Sequence, residues 1–318
     1  MNQANVHIIE TILAFALVVG LAVLLKKEKV VSKADVPVMA KLMTLVVLPG
    51  VIFFQFLRHP PAGRHVLPIL VMFLAGCGTL MAAWVVAKTL GFSRTKTGAL
   101  MIVSSFGSSS LLGYPMIQYT FPSNPEAMTE AILISELAVG LPIFILCPLV
   151  AMHFGEGSES AGSITKTIAQ YVRSPIFIAV VLGLLFSQFH LPIDSPLLVP
   201  VMDASKMIDG TLAALACLIL GLQIEVPSLK IILPMVGISA VLQMGFQPLL
   251  AYGQAVFFDI SGIQREVLIL VASLPTAVLG PVFAVRYKCD GEMASAVAFV
   301  NIMLALAVVP IVFLLLGH

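Results

Sequence analysis

Two stretches decide the fold. Phe106-Gly107-Ser108-Ser109-Ser110-Leu111-Leu112-Gly113-Tyr114-Pro115 lies in the middle of one long apolar run, 95–121. Ser273-Leu274-Pro275-Thr276-Ala277-Val278-Leu279-Gly280-Pro281 lies in the middle of another, 264–288. Proline removes a backbone donor and its ring clashes with the preceding turn, and glycine weakens a helix. Each run is therefore predicted to be a helix interrupted at mid-length. The backbone groups freed there must be buried in protein or line a wet cavity, because lipid satisfies neither donors nor acceptors.

Eight more apolar runs surround these two: 7–25, 36–57, 66–88, 127–152, 167–190, 197–225, 228–258 and 291–317. All ten approach or exceed the ~20 residues a helix needs to cross a bilayer core, and none shows the two-residue alternation of a barrel strand. Of the 318 residues 59% are apolar and 10% charged, against roughly 25% charged in soluble domains. That balance excludes a cytosolic enzyme, a nucleic-acid binder and a disordered regulator, and predicts an all-α polytopic membrane protein. The first run reads as a retained helix, since nothing basic precedes it and no small-residue cleavage site follows. The polar stretch Gly155–Lys166 reads as a flexible connector between halves.

Positive charge orders the connections. Thirteen Lys and Arg residues fall in the odd-numbered connections, whereas Arg58, Arg64 and Arg265 fall in the even ones. The positive-inside rule then puts both termini away from the cytoplasm of a multi-pass cell-membrane protein. The halves also resemble one another. Val18–Leu21 matches Val181–Leu184, Leu111–Gly113 matches Val278–Gly280, and Leu141–Phe144 matches Val309–Val312, in the same order and at near-constant separation. Five spans per half invert the second half. A 5+5 inverted repeat with crossed broken helices 4 and 9 is a frequent plan of secondary transporters. Its half-helix N-termini aim positive dipole ends at mid-membrane, an arrangement suited to an anion.

These residues resemble the auxin efflux carrier family, distantly related to bile-acid/sodium symporters. The resemblance runs from about Ile8 to Leu316. It rests on Gly20 through Leu48-Pro49, Phe106 to Pro115, Ser174-Pro175 through Gly183-Leu184, Leu220-Gly221-Leu222, and Leu274 to Leu279. Ser108 and Leu279 stand where the family often carries asparagine, which argues against an auxin carrier. The resemblance implies scaffold helices at 1–58 and 167–225, often a homodimer interface. It implies a mobile transport unit from 66–152 and 228–318 that moves as an elevator.

The candidate substrate site comprises Ser108, Ser109, Ser110, Gly113, Tyr114, Pro115, Pro275, Thr276, Gly280 and Pro281, with Gln247 and Asn301 from neighbouring spans. Hydroxyls and free N–H groups there would bond a carboxylate. Asn301 either meets substrate or bonds a crossover carbonyl. Gln243 and Gln247, four apart, either line the cavity or satisfy backbone freed by Pro248. Glu136, in span 5, is either a proton-coupling carboxylate or a hydrogen-bonded structural one. Asp203, Lys206 and Asp209 recur every three residues, so both acids are expected to reach the lysine. Glu10 reads as interfacial. The four cysteines read as small packing residues, and no metal, cofactor or nucleotide motif is present. The expected function is secondary transport of a small organic anion (a carboxylate, dicarboxylate or auxin-like acid), driven by protons, sodium or potential. The competing expectation is a non-transporting receptor or regulatory subunit of the same fold.

Overall fold

The computed structural model describes residues 3–60, 63–156, 169, 172–189, 195–196, 198–223, 229–277 and 279–316. All regular secondary structure among them is helical, apart from one isolated antiparallel bridge between Gly107 and Thr276. Apart from Gly155 and Glu156, the expected connector lies outside the described residues.

Among the described residues, five helices are long and apolar enough to cross a bilayer. They are Val36–Arg58, Val66–Thr89, Pro125–Phe154, Leu233–Phe257 and Gly291–Leu316. Helices of 25 residues, Gln3–Lys27 and Val199–Gln223, cover the first and seventh apolar runs. The sixth contributes the shorter Pro175–Ser187. The fourth and ninth runs form no continuous helix, for the reason their glycines and prolines supply. Arg94–Val103 stops before Ser104 and the chain resumes through Ser109–Gly113 into Tyr114–Thr120. Gly262–Ala272 stops before Ser273 and resumes as Leu279–Arg286.

Among the described residues four helical segments carry a wide π-type turn: Met43–Val47, Ser109–Gly113, Ile134–Gly140 and Val241–Phe246. Each ends two residues before a proline, namely Pro49, Pro115, Pro142 and Pro248. A proline ring collides with the carbonyl four residues back and offers it no donor. Widening the turn moves that carbonyl aside. The N–H just before the proline then reaches five residues back, from Leu48 to Met43 O, Leu141 to Glu136 O and Gln247 to Leu242 O.

The chain divides into two compact units. The first holds 1–63, 110–132 and 172–226; the second holds 64–109, 133–171 and 227–318. In the first, Gln3–Lys27 packs on Val199–Gln223 and Leu48–Arg58 on Pro175–Ser187. Gly221 permits the former pairing, because a Cβ there would stand 2.6 Å from Val19 O and 2.5 Å from Ala22 Cβ. In the second, Arg94–Val103 is enclosed by Val66–Thr89, Leu141–Phe154 and Gly291–Leu316. Its residues 97–103 are all buried. Large apolar side chains such as Leu17, Leu315 and Phe257 face outward, as lipid-facing positions do.

Candidate functional site at the paired helix breaks

The site belongs to the second unit. Where Arg94–Val103 and Gly262–Ala272 end, serine hydroxyls bond back one turn: Ser105 Oγ donates to Met101 O at 2.5 Å, and Ser273 Oγ to Ile269 O. This back-bonding competes with helix continuation. The chain then extends, and the two breaks meet. Ser108 N donates to Pro275 O at 2.7 Å and Ala277 N to Phe106 O at 2.9 Å. Glycine is needed for that approach, since a Cβ on Gly107 would stand 3.0 Å from Leu274 Cβ and 3.2 Å from its carbonyl oxygen. The two backbone bonds satisfy four groups that lipid would leave bare.

Side chains from flanking helices take the remaining carbonyls. Val103 O accepts from Thr276 Oγ1 at 2.5 Å and from Ser239 Oγ at 3.1 Å; Ser105 O accepts from Gln247 Nε2 at 3.0 Å. Asn301 Nδ2 donates to Ser239 Oγ at 2.9 Å and lies 3.4 Å from Thr276 Oγ1, while Gln243 Oε1 lies 3.1 Å from that hydroxyl. Gln247 thus serves backbone freed by the break at 104–108, one helix away from Pro248. Asn301 meets hydroxyls rather than a crossover carbonyl. All of these side chains are buried.

The lacing leaves capacity unused. Ser104 Oγ, Ser109 Oγ, Gln243 Nε2, Gln247 Oε1 and Asn301 Oδ1 are buried without a hydrogen-bond partner. A buried polar atom in that state costs free energy that a ligand or water can recover. Ser239, Ser104 and Ser105 were not singled out in the sequence; their signal is a lone small hydroxyl in an apolar run.

The other candidates are placed as follows. Pro275, Gly280 and Pro281 lie at and beyond the ninth-run break, with Gly280 N bonded to Ala277 O at 3.0 Å. A Cβ on Gly280 would stand 3.1 Å from Ile102 Cγ2. Ser108 and Ser109 are buried beside the fourth-run break. Gly113 ends the wide turn and Tyr114 and Pro115 follow it, in the segment assigned to the first unit, and the side chain of Ser110 lies outside the described residues. Glu136 is buried within the wide turn Ile134–Gly140. Glu10 is exposed. Among the described residues no three His, Cys, Asp or Glu side chains converge as metal ligands.

One expectation is corrected. Lys206 pairs with Asp203 at 2.9 Å, both exposed, but Asp209 turns away and pairs with Arg58 at 3.0 Å. Arg58 also donates to Met202 O and to Ser205 Oγ. A planar guanidinium with several donors outcompetes an exposed lysine on the same helix.

Two interrupted helices joined at mid-length, within a chain of long apolar helices, define a polytopic membrane protein built around a buried polar break. The chain belongs to the membrane transport protein family, whose model matches residues 7–313, in agreement with the resemblance to auxin efflux carriers. It is similar to an uncharacterized transporter of Methanothermobacter thermautotrophicus, 25% identical over 306 residues that cover 95% of this chain and 96% of the relative. It is also similar to an uncharacterized transporter of Methanocaldococcus jannaschii, 21% identical over 287 residues, covering 88% and 89% respectively.

Proposed function

We propose that this transporter is a secondary carrier of a small organic anion that binds at the paired breaks. The observation that carries the reading is the cluster of buried, unpartnered polar atoms around the Gly107–Thr276 pairing. Such a cluster is costly inside an apolar chain and is relieved when a ligand supplies partners. Ser109 Oγ is the donor best placed for the substrate, because the Thr276 hydroxyl is already engaged by Val103 O. The family membership favours a carrier over a receptor. The segments 66–152 and 228–318 form the mobile unit of an elevator, and 1–58 and 167–225 the scaffold and homodimer face. The halves form a 5+5 inverted repeat with both termini outside the cytoplasm. Glu136, buried within the wide turn Ile134–Gly140, is the coupling candidate for a proton, with sodium as the alternative ion.

The test is counterflow of labelled carboxylates in proteoliposomes, with binding to purified variants. Ser109→Ala should weaken anion binding roughly 10- to 150-fold, the worth of one bond to a charged ligand, in a protein that still elutes as a single species. Gly280→Val should abolish counterflow. Unchanged affinity in Ser109→Ala together with unchanged flux in Gly280→Val places the substrate elsewhere. Impermeant labelling of cysteines at Asn2 and within 155–162 should come from opposite sides; labelling from one side overturns the orientation.

A further inference from the structure

The elbow joining Gln3–Lys27 to Val36–Arg58 lies wholly within the first unit. Residues 26–41 hold five lysines against two acids, Glu28 and Asp35. The first helix closes on two backbone bonds, Val30 N to Leu25 O at 3.0 Å and Lys29 N to Lys26 O at 3.1 Å. That closure places residue 29 in the left-handed region, which a Cβ disfavours and glycine fills without strain. Gly91 stands at the same position after Val66–Thr89, at φ 67°. At residue 29 the chain has a lysine, at φ 58°; in the second unit Asp259 and Lys288 are strained in the same way. The helix dipole does not require it, because Lys26 and Lys27 already occupy the last turn. Nor does the positive-inside rule, which counts charge near a span and is indifferent to the backbone that carries it.

Some of the elbow's charge is already engaged. Lys26 Nζ donates to Leu222 O at 3.0 Å. Asp35 Oδ2 accepts from Ser32 N at 2.7 Å and from Ser32 Oγ at 3.0 Å. Lys27, Lys29 and Lys41 are exposed, and among the described residues none of the three makes a side-chain hydrogen bond or ion pair. Interleaved with them, Val30, Val38 and Leu42 are 67%, 61% and 53% exposed.

We propose that this elbow is a binding surface for anionic phospholipid, with Lys27, Lys29 and Lys41 on the headgroup charge and Val30, Val38 and Leu42 against the lipid carbons. The elbow connects two membrane-crossing helices, so it sits at the depth of the headgroups. Free ammonium groups there meet phosphate oxygens, and each lysine near an acidic lipid surface adds roughly 5-fold to affinity. Exposed valines and a leucine among the lysines match a headgroup layer with acyl chains beneath it. A free phosphate ion would satisfy the lysines and leave those apolar side chains in water. The left-handed lysine is then a sacrifice of fold stability for a charge held at the turn. The surface shares no residue with the paired breaks, so it stands whether or not the transported anion binds there.

The probe is dioleoyl phosphatidylglycerol, titrated as mixed micelles into the purified full-length protein in a neutral detergent and followed by thermal shift. Dioleoyl phosphatidylcholine, with the same chains and phosphodiester but no net charge, and inorganic phosphate serve as controls. Phosphatidylglycerol should raise Tm saturably and the controls should not; the rise should fade toward about 1 M salt, where the screening length shrinks to roughly 3 Å. Lys29→Gly is the decisive variant. Glycine relieves the left-handed strain, so Tm without lipid should equal or exceed that of the wild type, while the phosphatidylglycerol needed for half the response rises about 5-fold. The triple variant Lys27→Gln, Lys29→Gly, Lys41→Gln should need roughly 100-fold more. If the triple variant loses its monodisperse elution peak, Lys29→Gly alone decides. The proposal is overturned if phosphatidylcholine or inorganic phosphate gives the same response, if Lys29→Gly responds to phosphatidylglycerol as the wild type does, or if Lys29→Gly lowers Tm without lipid, which would make the lysine a structural cap. None of these outcomes bears on anion counterflow, so its failure and that of the carrier reading are separable.

Discussion

Replacing Thr276 by valine tests how the breaks are held. The side chain keeps its volume and its branched shape, so packing is nearly unchanged, and only the hydroxyl is lost. That hydroxyl donates to Val103 O at 2.5 Å and lies 3.4 Å from the Asn301 amide, at full burial. Val103 O keeps Ser239 Oγ and Asn301 keeps the same serine, but Gln243 Oε1, 3.1 Å from the hydroxyl, loses it as a donor. The cost is then that of one buried hydrogen bond with partial compensation, about 1–2 kcal/mol. For a chain of this size that corresponds to a fall in Tm of roughly 2–6 °C. Ser239→Ala should cost a similar amount. The double variant should cost more than the sum, because Val103 O would then lose both side-chain donors. Tryptophan or thiol-probe thermal unfolding of the purified protein reads all three. If Thr276→Val unfolds within 1 °C of wild type, to the order set by a buried bond, the two backbone bonds at 106–108 and 275–277 hold the crossover unaided and the lacing argument is wrong.

Three further outcomes are expected. Gly221→Ala should separate Gln3–Lys27 from Val199–Gln223, because the new Cβ would lie 2.6 Å from a backbone oxygen that cannot swing aside. A loss of about 1–3 kcal/mol, read as reduced Tm or early aggregation on size exclusion, is expected, whereas Gly210→Ala, where nothing lies within 4 Å, should be silent. His59, just past the helix end at Arg58, has its pKa held below the ordinary 6.5, first by burial and then by Arg58, with Glu126 opposing. Folding therefore favours the neutral imidazole. The stability this confers is intact above pH 6.5 and declines as pH falls through the depressed value; His59→Gln should flatten that part of a Tm-against-pH curve. Cys289, between two helices, has its thiol pushed up to about 11 by burial and then by Asp290. It should resist maleimide at neutral pH in the folded protein and react on denaturation; fast labelling would contradict the burial.

Much of the fold was legible because its signals are local. Apolar length marks helices, and Gly107, Pro115, Pro275 and Gly280 mark where two of them cannot continue. The partners at the breaks were less legible. Asp209 has a lysine three residues away, yet its partner Arg58 lies 151 residues earlier, and no periodicity on one helix reports that. Ser239 looked like any hydroxyl in an apolar run until the carbonyl of Val103, 136 residues away, was brought to it. Gln243 and Gln247 were paired by α-helical spacing, but a wide turn spans Val241–Phe246. They serve different partners, Thr276 for one and the Ser105 carbonyl for the other.

The four wide turns have a mechanical side. Each holds one residue more than an α-turn, which advances every side chain beyond it by about 100° around the axis. A helix with such a surplus can be re-phased without unwinding. If the surplus residue migrates along the rod, the stretch it passes turns through that angle and exchanges one face for another, while the ends stay where they are packed. The prolines at 49, 115, 142 and 248 act as detents that hold each surplus in place on their N-terminal side. A surplus freed from its detent becomes a rotary joint inside an otherwise rigid helix, and the buried faces at Glu136 and Gln243 lie within two of these joints.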